Sequence, residues 1–455
     1  MAKEGKKTPG FVDVKNISLI SIAGEILNLN TITEEINIYQ GLDEPFLSCN
    51  IVISDATSLF DTLNDDVGFS GQEVLIVRYT TRFPDDKQKD ATHAFVLHEV
   101  STRERIKEKE EVLVLEGISI EGYLNLQTKV SRAYGRNSGN TINNIIKSIV
   151  EEFFNSKSIQ NIYQTIKDIT KVTIQKNNTF DPTRNKIQYI APNINLVRLI
   201  KNLVEESDND TVHPLFHFYE DADGYHFSDV KKLLDRDVAD TFSYEPSNYN
   251  EGGPNKDMID LKKIIEYDII HQNSMLQNIE FGLYGSKTIN MDVLRKRKKE
   301  IDFDYNKTAP KFTKLNDKKL IQGNDYGGFN SNVMMFTSRD GHDTDSILKS
   351  ENHIPKRYPQ FAGISNSFSY HISNIMLNVV VNGNSDLNVG NKLNLIIPQA
   401  TTIGEQEGQV VDKYLSGFYM IRSLRHKING DQMVTIMKVM KDTEGSAPIT
   451  QNFRG

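Results

Sequence analysis

The chain has 455 residues, too many for one ordinary hydrophobic core; at roughly 150 residues per domain it holds about three. Hydrophobic residues make up 38% and charged residues 25%, with 28 Gly and 13 Pro, which excludes a collagenous or wholly disordered chain. Lys and Arg number 53 against 61 Asp and Glu, a net charge of −8, which argues against a nucleic-acid coat. The single cysteine, Cys49, excludes a disulfide framework or a thiolate zinc cage.

The N-terminal residues, Met1 to Gly10, form a polar arm with no apolar stretch behind it, so no signal peptide is expected. Nowhere is there the run of roughly 20 apolar residues that a membrane span requires.

Residues 15 to about 125 read as mostly β. Ser48–Ser54 alternates apolar and polar, and Glu73–Tyr79 and Glu111–Glu116 are rich in β-branched residues. Ala94–Val100 is a further strand, and the charged stretch Arg103–Glu111 reads as the solvated tip of a long hairpin. Between strands, Ser54–Leu63 carries a Ser/Asp cap and apolar Leu59, Phe60 and Leu63, the pattern of a short helix.

Near residue 140 the hydrophobic period changes from 2 to 3.6. Asn140 or Thr141 caps a helix with its apolar stripe at Ile142, Ile145, Ile146, Ile149, Val150, Phe153 and Phe154. Pro192-Asn193 announces a second helix, through Leu196, Leu199, Ile200, Leu203 and Val204. A hairpin follows: Leu215–Glu220, a turn at Asp221–Gly224, then Tyr225–Ser228. Residues 241–258 are polar and contain Gly-Gly-Pro, the composition of a connection. From 260 onward β character returns at Ile279–Leu283, Met376–Val381, Lys392–Ile397, Phe418–Ser423 and Met433–Met440. An Asn-, Asp-, Gly- and Lys-rich insert of roughly 301–370 interrupts it, too long for a structureless loop within a compact domain.

The two β blocks share a grammar. Gly71-Gln72 opens one buried strand and Gly390-Asn391 another, and in each block a long hairpin follows, with Asn429-Gly430-Asp431 as the turn of the second. A duplicated small β-barrel is the economical reading. The expected fold is therefore α+β, mainly β: two similar antiparallel barrels, an α+β module between them and an insert in the second. The boundaries are 1–14 (arm), 15–125 (first barrel), 126–258 (module), 259–300 with 371–442 (second barrel), 301–370 (insert) and 443–455 (tail).

Catalytic and ligand motifs fail one after another. Phe281–Thr288 contains Gly-Ser-Lys-Thr, but a phosphate loop needs lysine directly after glycine. His98-Glu99 lacks a second histidine at i+4. His213 and His217 have that spacing, yet Pro214 lies between them and the segment reads as a strand, putting both on one face two pleats apart. Asp221-Ala222-Asp223-Gly224 fails as a calcium loop, because Tyr219 and Val230 fall at ligand positions, and reads as a turn using Gly at positive φ. Arg295–Lys299 is the one strong basic cluster, without interleaved aromatics, and reads as a charged seam or a solvated strand. Cys49 sits mid-strand, as a core cysteine does. No catalytic, cofactor-binding or metal-ligating residues are assigned, and no enzymatic activity is expected.

The order of these pieces resembles the central baseplate hub proteins of contractile-tail, T-even-like bacteriophages, related to the hub portion of type VI secretion spike proteins. The resemblance rests on four stretches. Phe46–Leu63 leads into Gly71–Val77. Tyr189–Val204 is followed by Leu215–Ser228. Gly282, Tyr284, Ser286 and Lys287 precede Asp292. Val379–Pro398, with Gly383, Leu387 and Gly390, is closed by Gly417–His426 and the terminal hairpin. The resemblance implies a homotrimer whose six quasi-equivalent barrels form a ring adapting a sixfold tail tube to a threefold central spike, with wedge proteins around it and DNA passing through the lumen. It implies a virion component of the tail baseplate, assembled in the host cytoplasm without direct membrane anchoring. The alternatives are a tail-associated cell-wall hydrolase and the spike hub of a contractile secretion system.

Overall fold

The computed structural model describes residues 9–56, 63, 68–81, 90–108, 110–135, 140–187, 189–209, 212–244, 261–272, 274–292, 296–316, 329–337, 358–399 and 411–443. Alternating apolar residues drive the first block into strands: β1 (Val12–Ile20), β2 (Ile26–Asn28), β3 (Thr33–Gly41), β4 (Ser48–Asp55), β5 (Val74–Thr81), β6 (Asp90–Lys107) and β7 (Glu110–Ser119). In β4 every second residue is buried. Residues 57–62 of the expected Ser54–Leu63 helix lie outside the described residues, and Ser54 and Asp55 end β4. The charged stretch 103–111 is a hairpin tip as read, with β6 running to Lys107 and β7 starting at Glu110.

The helical stretch holds α1 (Ile120–Asn125), β8 (Lys129–Tyr134), α2 (Ile142–Ile149), α3 (Lys157–Thr170), β9 (Thr179–Phe180), β10 (Tyr189–Asn195) and α4 (Leu196–Glu205). The stripe from Ile142 buries as expected, though the last turn, Val150–Phe154, widens to a π-helix. The second helix starts later than Pro192-Asn193 announced, because both belong to β10. Asn195 is the cap, its side chain accepting from the Arg198 N–H at 2.9 Å. The hairpin is β11 (Phe216–Glu220) and β12 (Tyr225–Asp229), followed by α5 (Val230–Leu234). Its turn has Gly224 at φ +145°, and the Asp221 carboxylate accepts from the Asp223 and Gly224 N–H groups. These elements share a core of Ile142, Ile146, Phe154, Leu199, Leu203 and Phe227 among others.

The last block contains β13 (Val238–Ser243), β14 (Ile264–Gln272), α6 (Met275–Glu280), β15 (Gly285–Asp292), β16 (Arg297–Asp304), α7 (Tyr305–Thr308), β17 (Asn332–Thr337), α8 (Tyr358–Ile372), β18 (Ile375–Asn382), β19 (Lys392–Ile396), β20 (Gly417–Asn429) and β21 (Gln432–Lys441). Ile279–Leu283 is not a strand. It ends α6 and turns at Gly282, φ +77°, where a Cβ would stand 2.6 Å from that of Asn332. A short apolar run without alternation reads equally as strand or buried helix end, and packing against β17 decided it. β15 pairs with β16 on one side and β17 on the other in a separate three-stranded sheet, so the expected boundary at residue 300 falls inside a hairpin.

Strand dominates, with thirteen strands joined in one sheet whose spine runs β14-β18-β21-β20-β3-β4-β7-β6-β5-β1-β2, while β13 joins through β19 to β20. Numbering the six strands β1, β3, β4, β5, β6, β7 in chain order, they lie as 2-3-6-5-4-1. The strands β13, β14, β18, β19, β20, β21 lie in that same order, with one difference of direction: β13 runs parallel to β19, whereas β1 runs antiparallel to β5. Two of the register shifts coincide as well, although β14–β18 shifts again at Ile269/His271 and β6–β7 at Val100/Thr102 and Arg105/Lys107 without a counterpart. β3 and β4 shift register between Thr33 and Glu35, and β14 and β18 between Ile264 and Glu266. β6 and β7 shift between Leu97 and Glu99, and β20 and β21 between Ile421 and Ser423. The first six strands cover a core of Ile36, Ile51, Leu75, Phe95 and Leu115, and the second six a core of Val379, Leu393, Tyr419, Met437 and Val439. The second run turns back on itself, the Ser243 N–H donating to Lys262 O, whereas β1 is tied to the second run, the Val12 N–H donating to Asp431 O in the β20–β21 turn.

Candidate assembly site

The two runs meet where the distal half of β20, Ser423–Asn429, pairs with β3. Strand alternation puts both cores on one side of the sheet: His426 lies opposite Ile38, and Leu424 and Ile428 point the same way. The other side is an open face eight strands wide, from β14 to β6. Rows of paired residues cross it, one reading Val380, Ile436, Arg425, Tyr39, Ser48 and Ile118. Around Glu35 the charges on this face neutralise one another. Glu35 accepts from Arg425 Nη2 at 3.2 Å and lies 2.8 Å from Lys427 Nζ, while Arg425 Nε donates to Asn37 at 2.7 Å. Burial pushes the Glu35 carboxyl up, but Lys427 and Asn37, with Arg425, hold it below its ordinary value.

Among the described residues the sheet has two unpaired edges bounding this face. There β14 bonds to β18 alone apart from one bridge at Lys263, and it exposes Ile265, Ile269 and Ile270 beside Glu266 and Asp268. β6 pairs with β5 only as far as Val96, so its distal half has β7 on one side and no strand on the other among the described residues. An exposed apolar edge strand is a ready template for another chain.

The α/β stretch is fastened to the sheet by a buried polar knot. Lys176 Nζ donates to Glu121 Oε2 and Glu220 Oε1, both at 2.7 Å, and lies 4.6 Å from the centre of the Tyr225 ring. Glu220 Oε2 accepts from the Leu47 N–H at 2.9 Å, and Glu121 Oε1 from Tyr163 Oη at 2.8 Å. Burial opposes the Lys176 charge, but the two carboxylates outweigh it and keep the amine protonated well above its ordinary range. Burial pushes Glu220 upward. At a second junction, Asp43 of the β3–β4 turn accepts from Arg422 Nε and Nη2 at 3.0 and 2.9 Å and lies 3.5 Å from His217 Nδ1.

The rejected motifs land as follows. His213 and His217 do not share a strand face: His213 precedes β11, where Pro214 breaks the pairing, and its Nε2 accepts from the Thr313 N–H at 2.8 Å. Cys49 is buried mid-strand, where burial and then Glu116 raise its thiol well above its usual value. The Gly-Ser-Lys-Thr stretch enters β15 as pleated strand. Arg295 lies outside the described residues, and Lys298 pairs with Glu300 at the sheet surface. Among the described residues, no group of three His, Cys, Asp or Glu could hold a metal. The sequence reading missed α3, although Ile159, Ile162, Tyr163 and Ile166 have helical spacing, and with it Tyr163 and Lys176 of the knot.

This architecture is shared with phage tail proteins. The 43 kDa tail protein of prophage MuSo2 from Shewanella oneidensis superposes with a TM-score of 0.50 at 8% identity, over 94% of this chain and 98% of that one. The tail protein from Neisseria meningitidis MC58 aligns over 94% and 96% with a TM-score of 0.48 at 12% identity. In sequence the chain is similar to the probable baseplate hub protein gp334 of Vibrio phage KVP40, 22% identical over 263 residues. That match covers 54% of this chain and 57% of the relative, so the chain matches a little over half of the relative's length. No family model matches the sequence. The resemblance to baseplate hubs read from the sequence is thus upheld by a relative of that name and by the fold of a phage tail protein.

Proposed function

We infer that the chain is a structural, non-enzymatic baseplate hub: a homotrimer in which two barrels per chain, residues 9–119 and 238–272 with 375–443, make a ring of six. The module 120–237 and the insert 273–374 would decorate that ring, towards the spike and wedge partners. The reading is carried by one observation, the repeated strand order with its matching register shifts. Within the chain, the distal half of strand 5 of one repeat (β20) pairs with strand 2 of the other (β3). Among the described residues, the equivalent elements with no strand on one side are the distal half of β6 and β14. Placing β6 of one copy on β14 of the next repeats the internal junction between molecules, and three copies then close a cylinder. Eight strands from each chain would line it, with the open face inward. The locally neutralised Glu35, Arg425 and Lys427 suit a lumen that DNA crosses without sticking.

The test is light scattering combined with charge reversal. The purified chain should be trimeric, alone or with its spike. Arg103→Glu with Arg105→Glu, or Glu266→Lys with Asp268→Lys, should each weaken the trimer, and mixing the two variants should restore it. A stable monomer in the presence of spike, or a trimer indifferent to both reversals, would overturn the reading. So would degradation of peptidoglycan by the purified chain.

A further inference from the structure

Where the module bends over the open face, it leaves a cleft of about 640 Å³. Its floor is the sheet surface at Tyr39, Asn378, Ile436 and Lys438, and its walls are α1 with Leu126 and the start of α4 with Val197 and Lys201. The surface of the cleft is mostly apolar, though polar side chains are interspersed, and Leu126 stands 72% exposed at the edge. Three cations line the cleft, Lys201, Arg425 and Lys438, against one carboxylate, Glu44. Arg425 is already bound to Glu35 and Asn37. Lys201 and Lys438 form no salt bridge among the described residues, although the Lys201 charge helps to hold the Asp43 carboxyl low. The first turn of α4 lines the same space, its Val197 and Arg198 N–H groups already bonded to Asn125 and Asn195. In a chain of net charge −8, a concave site rich in apolar surface with two ammonium groups outside any salt bridge is an exception to its surroundings.

We propose that this cleft binds an extended acidic peptide segment of another protein, seating one or two apolar side chains between Lys201 and Lys438 and presenting carboxylates to both. Nucleic acid fits less well, because both aromatic rings of the lining are already engaged: Tyr39 is faced by the Arg425 guanidinium, 5.7 Å from its centre, and Phe46 packs on Phe154 and Tyr225. The site is complete within one chain, so it stands apart from ring formation: a monomer that binds such a segment would leave it intact while refuting the ring.

The experiment uses the full chain and a fluorescein-labelled nonapeptide alternating Glu or Asp with Leu or Phe, read by fluorescence anisotropy. The peptide should bind, and more weakly as salt rises. A partner peptide with lysine at every acidic position should not bind. Lys438→Glu and Lys201→Glu should each weaken binding roughly tenfold, with the thermal midpoint unchanged. Lys201, on the helix surface, keeps the test interpretable if the sheet variant folds poorly. Absence of binding up to about 1 mM peptide, roughly the weakest affinity worth calling specific, would overturn the proposal. It would also be overturned if both variants bind as the parent does, or if a single-stranded oligonucleotide displaces the peptide at equal concentration.

Discussion

Replacing Lys176 by methionine removes the cation of the polar knot while leaving its stem volume nearly filled. Glu121 and Glu220 are 2% and 1% exposed at their side chains, so neither carboxylate can recover its lost partner from water. Each loses a charge-assisted hydrogen bond of 2.7 Å, worth about 1.5–3 kcal/mol apiece. Breaking a buried pair by removing one partner costs about 3–5 kcal/mol in comparable settings, and the two routes agree. The knot joins Leu47 beside β4, α1, α3 and the β11–β12 hairpin, so the loss should fall on the seam between module and sheet. With 0 Trp in the chain, urea unfolding is best followed by far-UV circular dichroism. The single variant should lose a large part of its stability, and adding Glu121→Gln and Glu220→Gln should restore most of it, because no buried charge is then left unpaired. If Lys176→Met alone stays within about 1 kcal/mol of the parent, where surface pairs lie, the knot does not fasten the module.

Three further outcomes are expected. His93, His371 and His426 are buried and held neutral, with pKa values lowered to about 4, about 4 and about 3, in each case chiefly by burial. The unfolded chain takes up these protons first, so stability should be level above pH 6.5 and fall below it, by up to about 1.4 kcal/mol per pH unit per histidine. A flat profile between pH 6.5 and 4.5 in a denaturation series would contradict this. Gly117→Ala should cost about 1–3 kcal/mol by overpacking, because the new Cβ would stand 2.8 Å from Cys49 Sγ and 2.9 Å from Leu97 Cδ2; a neutral thermal midpoint would argue against that packing. Arg422→Ala, by contrast, should cost less than about 1 kcal/mol, since Arg422 and Asp43 are 39% and 51% exposed, and a larger loss in chemical denaturation would show that the junction is shielded.

Much of this protein was legible from residue patterns alone. The two-residue period in Ser48–Ser54 and Met376–Val381 placed strands, and the 3.6-residue stripe from Ile142 placed a helix. Gly71, Gly390 and Gly430, all at positive φ, marked the shared grammar of two β blocks, because only glycine adopts those turns without strain. Such signals are local, and local geometry is what they determine. Which strand lies beside which is set by contacts hundreds of residues apart, as where Ser423 meets Gly41, and no period in the chain encodes that. The separate sheet that β15 forms with β16 and β17, the partners of Lys176, and the pairing of β20 with β3 were all decided by tertiary packing. The sequence by itself determined where β-rich and helical stretches fall, because their periods are local; only the tertiary structure decided how the β stretches share one sheet and which of its edges carry no partner strand among the described residues, because those pairings join distant parts of the chain.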